Sequence, residues 1–510
     1  MKKILILSAL LFFTLLTNSQ DTNSFYTNSK GLSHHLNDYE KSLMQNYTRN
    51  FVETPPPTGS VRNIAEWEPV QSVIIAYDDA FGLPTSFLKS LLSYTKITFL
   101  VANLTQENTV KNILNNVSAN VNNAIFIYHD VDTWWSRDYS PWFIAIDNQQ
   151  VAIVDFPYNR PRPNDDQTPI VIGQNLGLTV YGMNLTNTGG NYMCDGMGIA
   201  ASTKLILTEN TSQTEAQIDS KVQNYLGINT YFKFTDPLDD YIEHIDCWGK
   251  FLDVDKELIT QVPVSDYRYA DFEAIAQYFA QTNCSYGYPY KVYRVQAAAK
   301  NQNQVNPYTN SLIVNGKVFV PQSGSSYDAA ALVTYQQAMP GYEIIGVTYS
   351  GWYNTDALHC RTYGIANTQM LYISHMPLFD TIATQSNIEI TAQIYSYGGY
   401  QLAANYPKLY YKINDSAYHS VEMTLYRDNQ YTAQIPAYDG INKISYYIEA
   451  QDEQNFLLKK PIMGQHDPFV FHTDKQPNWI AENNTIAESI NVFPNPCNYY
   501  AFVKINVQKQ

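Results

Sequence analysis

Between residues 68 and 377 the chain alternates short β-rich apolar runs with segments of helical periodicity. Residues 72–76, 97–101 and 124–128 read as strands, and 85–94 and 107–116 as helices between them. That alternation predicts an α/β domain. From 387 to 473 the pattern changes. Apolar runs at 388–395, 408–413, 431–435 and 443–450 are separated by turn residues with no helix between them, which predicts a β-sandwich of immunoglobulin type. Ahead of the α/β region, residues 21–54 are polar, rich in Asn and Ser and without apolar period, and read as a disordered leader closed by Pro55-Pro56-Pro57. After a polar linker at 476–488, Ile490-Asn491-Val492-Phe493-Pro494-Asn495-Pro496 opens a short final β-like segment. The predicted division is 1–19 signal peptide, 20–54 leader or propeptide, 55–380 α/β domain, 381–475 sandwich, and 476–510 linker and terminal segment.

The signal peptide rests on Lys2-Lys3, an apolar run from 4 to 16, and the small polar stretch Thr17-Asn18-Ser19-Gln20. The run falls short of the roughly 20 residues that span a bilayer, and no later segment approaches that length, so no membrane span is expected. The mature protein is expected to be exported through the periplasm. With 32 basic against 47 acidic residues and a net charge of -15, the balance argues against a nucleic-acid backbone or an anionic membrane as partner and favours cationic ligands. A single chain, a monomer, is expected. Five cysteines, Cys194, Cys247, Cys284, Cys360 and Cys497, are too few for a disulfide-stapled scaffold and leave at least one thiol unpaired. Cys360 is expected to be free.

Cys360 lies in Thr355-Asp356-Ala357-Leu358-His359-Cys360-Arg361, with Trp134-Trp135-Ser136-Arg137-Asp138 and Glu243-His244-Ile245-Asp246 far upstream. Taken singly, each is commoner as structure than as chemistry: a satisfied histidine, an Arg-paired aspartate, a small buried hydrophobe. Together a cysteine, a histidine and two carboxylates among aromatic residues suit covalent chemistry on a cationic carbon, so an enzyme is the leading reading. If 243–246 is extended, His244 and Asp246 share one face and Ile245 turns inward. In Asn159-Arg160-Pro161-Arg162-Pro163 the alternating prolines predict an extended segment displaying two guanidinium forks. No cysteine, histidine or carboxylate cluster has metal-ligand spacing, so no metal is expected in catalysis; Asp165-Asp166 or Asp236, Asp239 and Asp240 leave room for a structural calcium or sodium ion.

Four motifs in order, Trp135-Ser136-Arg137-Asp138-Tyr139-Ser140-Pro141-Trp142, Gly189-Gly190-Asn191 with Asp195-Gly196, Glu243-His244-Ile245-Asp246 and His359-Cys360-Arg361-Thr362, resemble the guanidine-modifying (pentein) superfamily. Within it the chain is similar to the secreted, porphyromonad-type peptidylarginine deiminases, through 241–250, 307–312 and 339–347. The resemblance covers about residues 50 to 475. It implies an α/β fold, a five-bladed pseudo-symmetric propeller (pentein), followed by an immunoglobulin-like β-sandwich. It implies Cys360 as nucleophile, Asp138 and Asp246 as guanidinium ligands, His244 as general acid/base and Asn306 as an active-site asparagine, although Gln302, Asn303 and Asn310 are close enough in sequence to exchange places with it. Arg160 and Arg162 would grip a substrate carboxylate, and Trp135, Tyr241 and Ile242 would line the pocket. Catalysis would need no calcium. The terminal segment is similar to the start of a type IX secretion sorting domain, but shorter, pointing to a secreted or cell-surface protein.

The function these readings predict is deimination of peptide arginine, preferentially C-terminal, to citrulline and ammonia through a covalent cysteine thiouronium, on peptides or proteins ending in arginine. The alternatives are an agmatine or free-arginine deiminase, which the arginine pair and the signal peptide disfavour, and a non-catalytic surface binding protein, which the complete set of residue types disfavours. One electrostatic difficulty accompanies the mechanism: two neighbouring carboxylates should raise the pKa of the Cys360 thiol.

Overall fold

The structure, a computed structural model, describes residues 27–28, 30–44, 51–299, 307–383, 387–438 and 440–474, with the strands at 486–493 and 502–508. The signal peptide expected at 1–19, Asn306 and Cys497 lie outside the described residues.

Five small sheets follow one plan. Trp142–Ile146 and Gln150–Asp155 form an antiparallel hairpin, helix Thr168–Leu176 crosses over, and Val180–Gly182 returns parallel to the second strand. The same order recurs with Met193–Cys194, Ile199–Thr203, helix Glu215–Leu226 and Thr230–Phe234. It recurs with Gly249–Asp253, Lys256–Gln261, helix Tyr269–Gln281 and Lys291–Gln296, then with Leu312–Val314, Lys317–Gln322, helix Asp328–Ala338 and Glu343–Thr348. The last sheet joins both ends of the domain. Tyr363–Ala366 pairs antiparallel with Val70–Ala76, which continues through helix Thr85–Leu92 to the parallel strands Lys96–Val101 and Ala124–Tyr128.

Local chemistry explains each crossover. Helix Glu215–Leu226 starts from a Thr214/Gln217 capping box and buries Ile218, Val222, Tyr225 and Leu226. It stops at Gly227, φ 70°, where a Cβ would stand 1.9 Å from the Val61 carbonyl oxygen, so only glycine closes the turn. The strand Val70–Ala76 is fully buried over its last five residues, as a strand covered on both faces must be.

In each unit a short irregular segment precedes the first hairpin strand. These are helix Ser136–Tyr139, the 3₁₀ turns Gly189–Asn191 and Ile245–Cys247, and the loops carrying Asn310 and Cys360. They converge. Arg137 N donates to Cys360 O at 3.1 Å, His359 N to Asn310 O at 3.1 Å, and Thr309 Oγ1 to Asp246 O at 3.1 Å.

The strand-rich part forms two sheets. One orders Leu371–Ser374, Ile388–Ser396, Gln430–Ile435 and Thr424–Arg427; the other is built on Asn442–Gln451, flanked by Lys408–Ile413 and Phe469–Asp474. Because Leu371–Ser374 pairs here, this unit begins ahead of the expected boundary at 381. Ile486–Phe493 and Phe502–Gln508 pair antiparallel at the end of the chain. Among the described residues no helix is long and apolar enough to cross a membrane.

The leader departs from its predicted disorder. Its described residues pack on the α/β domain and include helix Asp38–Met44. Hydropathy is blind to such a segment because polar bonds hold it: Asn28 Nδ2 donates to Asp78 Oδ2 and to the Asp132 carbonyl, both at 2.6 Å, and Glu40 is buried on Arg162. Cys360 is free as expected, but so are Cys194, Cys247 and Cys284, all buried.

Candidate active site

Cys360 is fully buried at the centre of the converging segments. Asn310 fixes it from two sides: the side-chain oxygen accepts from His359 N at 2.9 Å and Cys360 N at 3.2 Å, while Nδ2 donates to Cys360 Sγ at 3.1 Å. The thiol also points at Asp246 Oδ2, 3.7 Å away. The loop carrying it is anchored by Arg361, whose fork donates to Asp356 Oδ1 at 2.8 Å and Oδ2 at 2.6 Å.

Asp246 Oδ2 lies 2.7 Å from His359 Nδ1, and His359 Nε2 lies 2.8 Å from Glu66 Oε2. Lys250 Nζ donates to the same Glu66 oxygen at 2.8 Å. A hydrogen-bonded chain through Lys250, Glu66, His359 and Asp246 therefore ends beside the sulfur. Burial pushes the Asp246 carboxyl up, but the His359 bond and charge prevail and hold it low.

Asp138 and His244 form the other wall, with Asp138 Oδ1 3.7 Å from His244 Nδ1. Burial takes His244 down to about 4 despite the raising effect of Asp138 and Asp246, so it is neutral at pH 7. For Asp138 the two neighbouring histidines overcome the effect of burial and hold the carboxyl well below its usual range. Gly190 makes this approach feasible: a Cβ there would lie 2.5 Å from His244 Nδ1 and 2.8 Å from Asp138 Oδ1. Burial, with Asp246, Asp356 and Asp138 adding to it, pushes the Cys360 thiol up to about 12. The foreseen electrostatic difficulty is present in the structure.

The segment 243–246 is not extended. Glu243 has φ 52° and Ile245–Cys247 is a 3₁₀ turn, because the chain must turn into the Gly249–Asp253 strand; Thr203 Oγ1 donates to the Glu243 carbonyl at 2.6 Å and holds the turn. Nor does the arginine segment display its forks. Pro163 starts the short helix Pro163–Asp166, and both Arg160 and Arg162 are buried. Arg162 Nε donates to Glu40 Oε1 at 2.9 Å and Nη2 to the Ser33 carbonyl at 2.6 Å, while Arg160 Nη1 donates to Asn159 O at 3.3 Å. Trp135 is fully buried with the Arg162 guanidinium 5.6 Å from its ring centroid. Tyr241 is exposed and donates or accepts at Thr355 Oγ1, 3.1 Å away; Ile242 belongs to the main apolar core.

Thus Cys360, Asp246, His244, Asp138 and Trp135 come together. Sequence reasoning missed His34, Glu40, Glu66 and the role of His359. His34 Nε2 lies 2.9 Å from Asp138 Oδ2, and its ring stacks on Trp135 at 4.8 Å and 14°. Only the pattern Asn37-x-x-Glu40, a helix-start signature, marked this segment in the sequence. Among the described residues three buried groups have metal-capable atoms within 4.8 Å of one another: His34, Asp138 and His244; His34, Asp356 and Cys360; and Asp246, Cys247 and Cys360. The fold therefore creates metal-ligand proximity that linear spacing did not reveal, all of it in this one site.

The sequence model of the Porphyromonas-type peptidyl-arginine deiminases matches residues 62–365. The chain belongs to that family. Porphyromonas-type deiminases are guanidine-modifying enzymes of the pentein superfamily. A putative agmatine deiminase from Streptococcus mutans is 24% identical over 270 residues, 45% of this chain and 73% of that protein. One from Lactococcus lactis is 23% identical over 319 residues, 54% of this chain and 85% of that protein. Among solved structures, agmatine deiminase of Enterococcus faecalis aligns with TM-score 0.53 at 19% identity over 61% of this chain and 99% of that one. The putative arginine deiminase from Porphyromonas gingivalis gives TM-score 0.52 at 20% identity over 60% and 98%. These likenesses establish a deiminase-type α/β fold.

Proposed function

We propose that the protein is a peptidylarginine deiminase that converts arginine, preferentially at a peptide C-terminus, to citrulline and ammonia. The observation that carries this reading is a planar imidazole, His34, held between Asp138 and Trp135 with a ring nitrogen within 4.8 Å of Cys360 Sγ. A guanidinium is planar, stacks on aromatic faces and pairs with carboxylates, so the same space suits the substrate side chain. The five repeated sheets are read as propeller blades around this site, and the strand-rich unit as an immunoglobulin-type sandwich.

Asp138 and Asp246 hold the guanidinium and keep its charge on nitrogen, exposing the carbon. Cys360 gives its proton to His244 and, as thiolate, forms a C–S bond to that carbon. His244 gives a proton to one nitrogen, the C–N bond breaks and ammonia leaves, giving an S-alkylthiouronium. His244 then takes a proton from water, oxygen adds to the carbon, and the C–S bond breaks to return the thiol and release the ureido product. Arginine and water become citrulline and ammonia. Because the resting thiol sits near 12, the substrate cation itself is what lowers it.

Specificity for a terminal carboxylate is supported by Arg162, which in this structure already binds a carboxylate, that of Glu40. Agmatine offers nothing to that fork. Export is supported by Lys2-Lys3 and the apolar run behind them.

Formation of the ureido product, citrulline from the peptides and N-carbamoylputrescine from agmatine, is measured on a peptide ending in arginine, on the same peptide amidated, and on agmatine, with Cys360→Ala as blank. Turnover of the free acid alone is expected. Equal turnover of the amidated peptide removes the carboxylate clamp, and citrulline from the Cys360→Ala protein removes the nucleophile.

A further inference from the structure

We propose that the leader around His34 and Glu40 is an intramolecular plug that mimics both ends of the substrate and must withdraw before arginine can enter. The inference rests on the proposed reading of the site and adds its regulation.

His34 and Glu40 are each buried, at 4% and 3% exposure, in a segment whose composition alone predicts full solvation. His34 makes the contacts a guanidinium would make: Nε2 at 2.9 Å from Asp138 Oδ2 and a face parallel to Trp135. Its ring is also edge-on to His244 at 5.8 Å. With His34 nitrogens within 4.8 Å of Cys360, Asp138 and His244, no planar guanidinium fits beside the ring, and Cys360 is wholly shielded.

Glu40 supplies the other half of the mimicry. Its carboxylate accepts from Arg162 Nε at 2.9 Å and from Nη2 at 3.4 Å, while the Ser33 carbonyl takes Nη2 at 2.6 Å. A terminal arginine carries its guanidinium and carboxylate on one residue; the leader delivers an imidazole and a carboxylate from two. Asn28 fastens the segment to Asp78 and Asp132, and within the segment Asn37, whose backbone N–H donates to Glu40 Oε2 at 3.0 Å, orients the carboxylate. His35 adds an edge contact to Tyr241 at 5.0 Å, so the exposed tyrosine at the rim faces the plug as well.

A tethered competitor has a definite kinetic signature. Substrate binds only the open fraction, so the apparent KM is raised by the reciprocal of that fraction while kcat at saturation is unchanged. Loosening the plug therefore lowers KM and leaves kcat alone.

The full-length chain is compared with His34→Ala/Glu40→Ala, with His34→Gln alone in case the double variant fails to fold, and with Lys41→Ala, an exposed change on the same helix. Two rates are read: citrulline formation from a peptide ending in arginine, and carbamidomethylation of Cys360 by iodoacetamide, followed peptide by peptide in a mass spectrometer. The plug predicts that the His34 variants alkylate roughly tenfold faster or more and show a KM lower by a similar factor at constant kcat, with Lys41→Ala like the parent. Cys360 alkylating no faster in the folded His34 variants overturns the plug, whatever the activity. Faster alkylation without citrulline from any arginine substrate retains the plug and overturns the deiminase reading instead.

Discussion

Replacing Asp246 by Asn should move two measurements on the same protein in opposite directions. Burial sets the high pKa of the Cys360 thiol, and Asp246, with Oδ2 only 3.7 Å from Sγ, is the largest charge contribution after it. At an effective dielectric of about 20, two unit charges at that distance repel by about 4 kcal/mol, equivalent to roughly three pH units. Asn keeps the volume and a hydrogen-bond acceptor for His359 but removes the charge. The thiol should fall from about 12 toward roughly 9, so alkylation of Cys360 at pH 8 should accelerate by up to about a thousandfold. Any shielding by the leader acts on both proteins and cancels in the ratio. Citrulline formation should nevertheless fall by roughly a hundredfold or more, because the guanidinium loses one of its two carboxylates. Iodoacetamide kinetics from pH 6 to 10 and a citrulline assay on the same preparations decide it. A parent thiol that already plateaus with a midpoint below about 8.5 refutes the electrostatic account. An Asp246→Asn protein that keeps full turnover refutes the placing of the substrate cation.

Three further outcomes are expected. Gly190→Ala drives a methyl to 2.5 Å from His244 Nδ1 and 2.8 Å from Asp138 Oδ1; kcat/KM should drop roughly tenfold or more, with stability lower by about 1–3 kcal/mol in urea titrations. Arg162→Ala should raise KM for a free-acid peptide roughly tenfold relative to its amide; the ratio of the two substrates is the readout, because the same change also frees Glu40. His244 and His375 are both lowered by burial to about 4, so the unfolded chain takes up protons that the folded chain refuses. Their contribution is complete above about 6.5 and is lost as pH falls through 4, about 3 kcal/mol each; urea melts at pH 7 and pH 4 should differ less in His375→Gln.

The repeated ββαβ plan explains why the site is scattered over more than 200 positions yet compact in space. Each unit brings its pre-strand segment to the same place, and Asp138, Gly190, Asp246, Asn310 and Cys360 each lie two to four residues ahead of the first strand of successive units. The paired strand that follows each segment anchors it through a sheet ladder, leaving side chains that the turn does not need for packing free for chemistry. Backbone bonds between units, from Arg137 N to Cys360 O and from His359 N to Asn310 O, lock the segments against one another.

What the sequence disclosed follows the kind of signal each element carries. The strands at 97–101, 124–128 and 408–413 were legible as short runs of apolar and aromatic residues, and the structure has Lys96–Val101, Ala124–Tyr128 and Lys408–Ile413. The convergence of Cys360, His244, Asp138 and Asp246 was legible only through motif resemblance, since no local pattern brings residue 138 to residue 360. The turn at Glu243 escaped because a left-handed residue other than glycine leaves no trace in hydropathy. Glu66 and His359 escaped because two polar residues that bond to each other across 293 positions look in sequence like two surface residues. The leader is the extreme case. Its residues are polar because their partners are Asp138, Arg162, Asp78 and Asp132, not an apolar core. A segment built to compete with a charged substrate has to carry charge of its own, and the composition that makes it read as solvated is the composition that lets it occupy the site.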